Sequence, residues 1–412
     1  MKDIVIVANY CEFPSEKGNS RFTYLADLLV DRGFQVEIVT SAFSHKTKKA
    51  RQLPISDLRY QTTFIDEPGY SRNISLKRLY SSERMSRNVM KYLNERKRPD
   101  LIYYPFPPIS IGKRIAKYAA QHDIPFVVDI QDLWPEAFRM VFNIPFISDG
   151  LYYPFERNAN KIYKQADALI AVSETYLSRG MSVNRKDKKG TTVFLGTDLR
   201  RFDSYVKAKE QVALKQEGIR VAYIGTLGSS YDINLVSKAV YLLKKKGIHN
   251  LQFIVIGDGP KRKSFEDYAK ELNIKVEFTG MLTYEEMVKE LTNCDIAVNP
   301  IVKGAAQSVI NKVGDYAAAG LPVLNTQENE EYRKIVENRG IGINCKTGDA
   351  EDLANQLEKL CYDSERRAVM GRNNRVFAEE RFDRKYTYLD IVKVIEELTK
   401  SQVSDKGKVK ER

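Results

Sequence analysis

The stretch Asn299–Leu324, NPIVKGAAQSVINKVGDYAAAGLPVL, reads as the end of a strand, a turn of small residues, a short helix and the start of another strand. Val309, Val313 and Tyr316 recur at i, i+4 and i+7, which puts them on one helix face packed against a sheet. Gln307, Asn311 and Asp315 recur on a second, polar face. Gly304, Ala305 and Ala306 permit close backbone approach, and the amides of a helix N-terminus at 307–310 have the chemistry to hold an anion. Gly320 stops the helix before the apolar run Leu321–Leu324. On these residues alone two readings stay open: an anion-binding strand-to-helix turn, or an ordinary helix capped by small residues.

The same alternation extends in both directions. IVIVANY, VEIVT, LIYY, FVVDI, ALIAV and TTVFL are separated by helix-like segments in the first half of the chain. After the polar stretch Asp198–Gly218 the pattern restarts with VAYIG, QFIVIGDG, VEFTG, DIAVNP, LPVLN and IGINC. Continuous apolar runs of this kind belong to parallel strands covered on both faces. The expected fold is α/β, with doubly wound domains over residues 1–200 and 219–383. A helix over 384–400 is expected to cross back to the first domain, leaving a charged, disordered tail over 401–412.

Composition narrows the function. A chain of 412 residues with 43% hydrophobic and 29% charged residues is long enough for two globular cores. No apolar run reaches the ~18 residues of a membrane span, and the start lacks a signal-peptide pattern, so a cytosolic protein is expected. Cys11, Cys294, Cys345 and Cys361 are scattered without a CxxC, which argues against a metal cage and for reduced thiols.

Most of the formal charge of +12 lies between Lys46 and Arg98, where 14 Lys/Arg face five Asp/Glu. Within it, Leu76, Leu79, Tyr80, Val89, Met90 and Leu93 are interleaved with Arg78, Arg84, Arg87, Lys91 and Arg96. A basic amphipathic helix suits an anionic membrane surface, and equally suits a helix packing its apolar stripe inward. Neither a zinc finger nor an RNP-like strand is present, so nucleic acid is not expected as a partner.

Ligands of open parallel sheets bind beyond the carboxyl ends of the strands. These ends carry Lys17-Gly18-Asn19-Ser20, Gln131-Asp132 with Trp134 and Glu136, Gly225-Thr226-Leu227-Gly228-Ser229-Ser230, Gly257-Asp258-Gly259 and Thr279-Gly280-Met281-Leu282. Glycine turns repeated at adjacent strand ends favour a nucleotide. His122 and His249 precede strands and sit at the wrong edge, and only His45 follows one. Any general base is therefore a carboxylate or the substrate itself.

ADALIAVSE, FLGTDLRRF, VIGDGPKRKSFEDYAKEL, VEFTGMLTYEEM and DYAAAGLPVL, in this order, resemble the family 4 glycosyltransferases of GT-B architecture, and the resemblance covers nearly the whole chain. DIQDLWPE is similar to a segment of members that build bacterial surface polysaccharides or glycolipids. The resemblance implies two facing Rossmann-like domains, the first for the acceptor and the second for a nucleotide-sugar donor. It implies a retaining transfer without a metal or other cofactor to a lipid-linked or oligosaccharide acceptor, with the basic helix seating the enzyme on the inner membrane leaflet.

Carried over residue by residue, the resemblance puts the base near Gly280, Met281 and Leu282 and the ribose on Asp315. The diphosphate falls to Gly225, Thr226, Ser229, Gly257, Ser308, Val309 and Lys312, and Gly18 and Asn19, in the phosphate-facing loop after the first strand, are also expected to bind the donor. Gln307 and Asp132 fall near the reacting sugar and acceptor. Two departures stand out: Gln307 and Asp315 occupy positions often held by two glutamates, and Thr226–Tyr231 lacks the Arg and Lys many members have there. A nucleotide-sugar epimerase of the same architecture and a non-catalytic nucleotide-binding subunit are the alternatives.

Overall fold

The computed structural model describes residues 1–16, 20–52, 55, 57–72, 75–137, 147–187, 189–207, 218–305 and 308–408. The chain divides into two compact units, Met1–Val193 with Tyr388–Arg412, and Phe194–Thr387.

The first unit runs β1 (Asp3–Val7), α1 (Arg21–Asp31), β2 (Gln35–Ser41), the short antiparallel pair β3 (Phe43–Ser44) and β4 (Lys49–Ala50), β5 (Gln61–Ile65) and α2 (Leu76–Glu95). It continues through β6 (Leu101–Phe106), α3 (Ile109–Gln121), β7 (Phe126–Ile130), α4 (Ile147–Gln165), β8 (Ala168–Ala171), α5 (Glu174–Met181) and β9 (Thr191–Thr192). Seven parallel strands form one sheet in the order β5-β2-β1-β6-β7-β8-β9. Ile4 pairs with Val36 on one side and Leu101 on the other, so the winding reverses beside β1. The crevice at such a switch point is where a doubly wound sheet takes its ligand.

In α2 the apolar residues divide. Met85, Val89 and Leu93 are buried, whereas Leu76, Leu79 and Tyr80 in the first turns are 84%, 49% and 58% exposed. The inward-packing reading therefore holds for the later turns, and the apolar surface left to solvent is confined to the start of the helix.

The second unit begins with α6 (Leu199–Lys207) and continues through β10 (Ile219–Ile224), α7 (Ile233–Lys245), β11 (Leu251–Ile256), α8 (Arg262–Glu271), β12 (Val276–Gly280), α9 (Tyr284–Leu291) and β13 (Ile296–Asn299). Then follow α10 (Lys312–Ala318), β14 (Val323–Asn325), α11 (Glu330–Arg339), β15 (Gly342–Asn344), α12 (Ala350–Tyr362), α13 (Ser364–Phe377) and α14 (Arg384–Thr387). Six parallel strands take the order β12-β11-β10-β13-β14-β15, with the reversal between β10 and β13. Local chemistry sets the helix ends: Thr283 and Glu286 close a capping box on α9, and Gly340, left-handed at φ 58°, stops α11.

The last helix, α15 (Leu389–Lys408), belongs to the first unit, where Tyr388, Ile391, Val392 and Ile395 join the core with Leu25, Leu29 and Tyr103. It passes residue 400, where the sequence reading ended it, because no proline interrupts SQVSDKGK. Among the described residues no helix is long and apolar enough to cross a membrane.

Candidate active site

At the switch point of the second unit, the loops after β10 and β11 lie backbone against backbone. Gly225 N donates to Ile256 O (2.9 Å), Leu227 N to Asp258 O (3.0 Å) and Lys261 N to Leu227 O (3.0 Å). A Cβ on Gly257, at φ 146°, would stand 2.0 Å from Gly225 O. The glycines of IGTLG and VIGDGP therefore serve this close approach. Thr226 and Ser229 are left exposed at its rim.

Lys312, the first residue of α10, reaches into the Gly225 turn. Its Nζ lies 4.0 Å from the ring centroid of Tyr223 and 3.6 Å from that of Tyr231 and, among the described residues, makes no hydrogen bond. An antiparallel bridge between Tyr231 and Ile301 carries the second ring into place. The residue is only 8% exposed, and burial pulls its pKa well below the ordinary lysine value. Cation–π contact offsets part of that cost but leaves all three ammonium donors without acceptors. Such a group is suited to an anion arriving at the Gly225 turn.

The Asn299–Leu324 stretch departs from its sequence reading at one point. α10 starts at Lys312, so among the described residues the amides of 308–310 do not form the first turn of a helix. Ser308 O accepts from Gln327 Nε2 (2.7 Å), and Ser308 Oγ donates to Glu331 Oε2 (2.8 Å). These bonds tie the segment to residues 327–331 instead of winding it into α10. Val309, Val313 and Tyr316 do pack in the core, so the side chains of Ser308 and Val309 both turn into the unit. Beneath them Asn299 Nδ2 donates to Asn325 Oδ1 (2.9 Å) and Gln327 Oε1 (3.1 Å), a buried amide chain that fixes the strand ends.

Asp315 Oδ1 accepts from Thr197 Oγ1 (3.2 Å) and Tyr284 OH (3.0 Å). Burial pushes this carboxyl up to about 6, against the two hydroxyls and the charge of Arg384, which favour ionisation. At the end of β12, Gly280 takes φ 76°, Met281 stands 71% exposed, and Leu282 packs on the core.

In the first unit, Asp132 follows β7, half-buried. Its Oδ1 accepts from Leu133 N (2.9 Å) and its Oδ2 from Trp134 Nε1 (3.2 Å), and burial raises its pKa. Gly18, Asn19 and Gln307 lie outside the described residues.

Two family models match the chain: "Glycosyltransferase Family 4" over residues 19–201 and "Glycosyl transferases group 1" over residues 206–377. The chain is a family 4 glycosyltransferase of GT-B architecture. Among curated relatives it is similar to the probable glycosyltransferase WbjE of Pseudomonas aeruginosa, 25% identical over 57% of this chain and 60% of that one. It is also similar to a GDP-mannose-dependent monoacylated alpha-(1-6)-phosphatidylinositol monomannoside mannosyltransferase of Corynebacterium glutamicum, 21% identical over 54% of this chain and 60% of the relative. The matches thus span about 60% of these relatives' lengths. Anabaena HepE, solved with UDP, shares the fold at a TM-score of 0.69 and 16% identity, covering 96% of this chain and all of that one.

The lysine at the Gly225 turn comes from α10, and residues 226–231 after β10 carry neither Lys nor Arg. Sequence reasoning named Lys312 but missed Tyr223 and Tyr231, which enclose it, and Thr197 and Tyr284, which orient Asp315. Tyr284, two residues beyond the Met281–Leu282 loop in VEFTGMLTYEEM, and Thr197, in FLGTDLRRF, had a local signal.

Proposed function

We propose that this glycosyltransferase moves a sugar from a nucleoside diphosphate donor, with retention of configuration, to a hydroxyl of a lipid-linked or oligosaccharide acceptor. The observation that carries the proposal is the buried, acceptor-less Lys312 Nζ beside the Gly225 turn. In this reading the second unit takes the donor. Lys312, the exposed hydroxyls of Thr226 and Ser229 and the backbone at Gly225 and Gly257 receive the diphosphate. Oδ2 of Asp315 accepts from the ribose, and the Gly280–Leu282 loop covers the base. The bond from the sugar's anomeric carbon to the diphosphate breaks as the acceptor hydroxyl attacks that carbon from the same face. The hydroxyl proton passes to a departing phosphate oxygen, whose charge Lys312 stabilises. Asp132 contacts the acceptor or the reacting sugar. HepE, crystallised with UDP and UDP-glucose, and the GDP-mannose-dependent relative support this class of donor.

A thermal-shift screen of nucleoside diphosphates and their sugars tests the reading, because a ligand of the native state raises its stability in proportion to ln(1 + [L]/Kd). Asp315→Ala should lose most of the shift, whereas Asp132→Asn should keep it and lose turnover. Ribose hydroxyls donate to the ionised carboxylate, so wild-type nucleotide affinity should fall as pH drops through about 6 and that of Asp315→Asn should not. A wild-type protein that no nucleotide stabilises would sink the proposal.

For the membrane we propose peripheral contact with an anionic leaflet through the start of α2, where exposed Leu76, Leu79 and Tyr80 stand among Lys77, Arg84 and Arg87. Sedimentation with phosphatidylserine liposomes should weaken from low to high salt, and absence of binding at both removes the idea.

A further inference from the structure

Ring faces rather than an opposite charge hold the Lys312 ammonium at the Gly225 turn. Tyr223, on β10, and Tyr231, after the glycine turn, meet with ring centroids 5.6 Å apart and planes inclined at 62°. Nζ lies 4.0 Å and 3.6 Å from those centroids. Van der Waals contact at a ring edge would keep a nitrogen roughly 5 Å from the centroid, so both distances place the ammonium over the faces, inside the wedge. Gly225 closes a third side, because a Cβ there would stand 2.8 Å from Nζ and 3.1 Å from Cε. The walls are themselves fixed. Tyr223 OH donates to Thr226 O (2.9 Å), the antiparallel bridge between Tyr231 and Ile301 sets the second ring, and Val302 N donates to Ser230 O (3.2 Å) beside it.

We infer that Tyr223 and Tyr231 are positioning residues for the transfer: their faces hold the Lys312 ammonium where the departing diphosphate meets it, in the place a carboxylate partner would otherwise fill. The inference rests on the donor reading, since the diphosphate is the anion that the ammonium receives.

Three features carry it. First, the stem of a lysine is flexible, and its ammonium stays at one point only where something holds it. Two aromatic faces do so, with an attraction that is largest where water is excluded. Second, the acids on the elements that build the wedge are committed elsewhere. Asp315, on the same helix, accepts from Thr197 and Tyr284, and Asp232, next to Tyr231, caps α7 through Leu235 N (3.0 Å). Asp258 accepts from Gly259 N (2.7 Å) and lies 3.8 Å from Arg262, while the phenol of Tyr316 on α10 is bonded to Ile224 N and Val298 O. Burial is accordingly what moves the Lys312 pKa. Third, a carboxylate partner would neutralise the ammonium and compete for its protons, whereas ring faces leave all three donors to an arriving oxyanion. The charge then reaches the diphosphate undiminished while the rings stay behind it.

Calorimetric titration of the full chain with inorganic pyrophosphate tests the inference. Tyr231→Leu should weaken binding by about tenfold or more, and Tyr231→Phe, which keeps the ring face, should hold most of the affinity. The pH profile separates positioning from packing. With one face gone the charged form of Lys312 is less favoured and its pKa drops further, so the fall of affinity with rising pH should begin at lower pH in Tyr231→Leu than in the wild type or Tyr231→Phe. A measurement on the wild type is independent of how any tyrosine variant folds. In protein carrying isotope-labelled lysine, the ring currents of the two faces should move the ε-methylene signal of Lys312, assigned by its loss in Lys312→Met, upfield of the other lysines. Wild-type affinity and pH profile in Tyr231→Leu, an equal loss in Tyr231→Phe, or an unshifted ε-methylene overturns the inference. Pyrophosphate binding that Lys312→Met weakens and Tyr231→Leu leaves unchanged removes the role of the wedge alone. A wild type that binds neither pyrophosphate nor any nucleoside diphosphate, with the upfield signal present, removes the donor assignment and the inference with it.

Discussion

Replacing Lys312 by methionine is expected to weaken binding of UDP, GDP and inorganic pyrophosphate by about 30-fold or more while leaving the free protein at least as stable as before. Truncating one partner of a buried, hydrogen-bonded charge pair costs about 2–5 kcal/mol, and 2 kcal/mol is already about 30-fold in affinity. In the free protein, however, Nζ has two aromatic faces and no acceptor, so its burial costs stability that methionine would not. A lysine with a merely structural role would give the opposite result, lower stability and unchanged affinity. Proton linkage gives a second readout. Burial lowers the lysine pKa and a bound diphosphate raises it again, so between those two values the complex holds more protons than the free protein. Wild-type affinity should therefore fall as pH rises through that interval, with proton uptake visible by calorimetry in buffers of different ionisation enthalpy. Lys312→Met should show neither effect. Equal pyrophosphate affinity in both proteins would remove Lys312 from the diphosphate site.

The sequence makes Lys312 visible as a cation in the right stretch but hides what gives it chemical force. Tyr223 sits within the apolar run VAYIG and reads as ordinary core. Tyr231 follows the glycine turn and reads as loop, and only its bridge to Ile301 turns it toward a lysine more than 80 residues on. The parallel strands and their glycine ends were legible because continuous apolar runs and backbone close approach leave local signatures. The start of α10 was not, because the Ser308 carbonyl that could have served a first helical turn is taken by the Gln327 side chain. Long-range side-chain bonds of this kind override local pattern without marking it. The same limit applies to Asp129. Nothing in FVVDIQD marks it as 0% exposed and committed to a partner 108 residues earlier.

That partner sets up the largest stability effect expected of a single side chain here. Arg21 Nε donates to Asp129 Oδ2 (2.8 Å), Tyr103 OH donates to the same oxygen (2.6 Å), and Arg21 Nη1 donates to Val193 O (2.9 Å). The guanidinium also lies 4.8 Å from the Tyr388 ring, at the point where the C-terminal segment rejoins this unit. Burial opposes the charge on Arg21, but Asp129, Tyr388 and Tyr103 outweigh it and raise its pKa. Arg21→Met leaves a carboxylate buried without its cation and is expected to cost about 3–5 kcal/mol, as is Asp129→Leu for the stranded guanidinium. Replacing both together removes both buried charges, so the double variant should be far less destabilised than the sum of the single ones. Urea unfolding followed by Trp134 emission reads this unit directly. Additive losses would mean that the two side chains act independently. Recovery in the double variant would mean that the pair specifies how α1 sits on β7 more than it stabilises the fold, because an apolar replacement does nearly as well energetically.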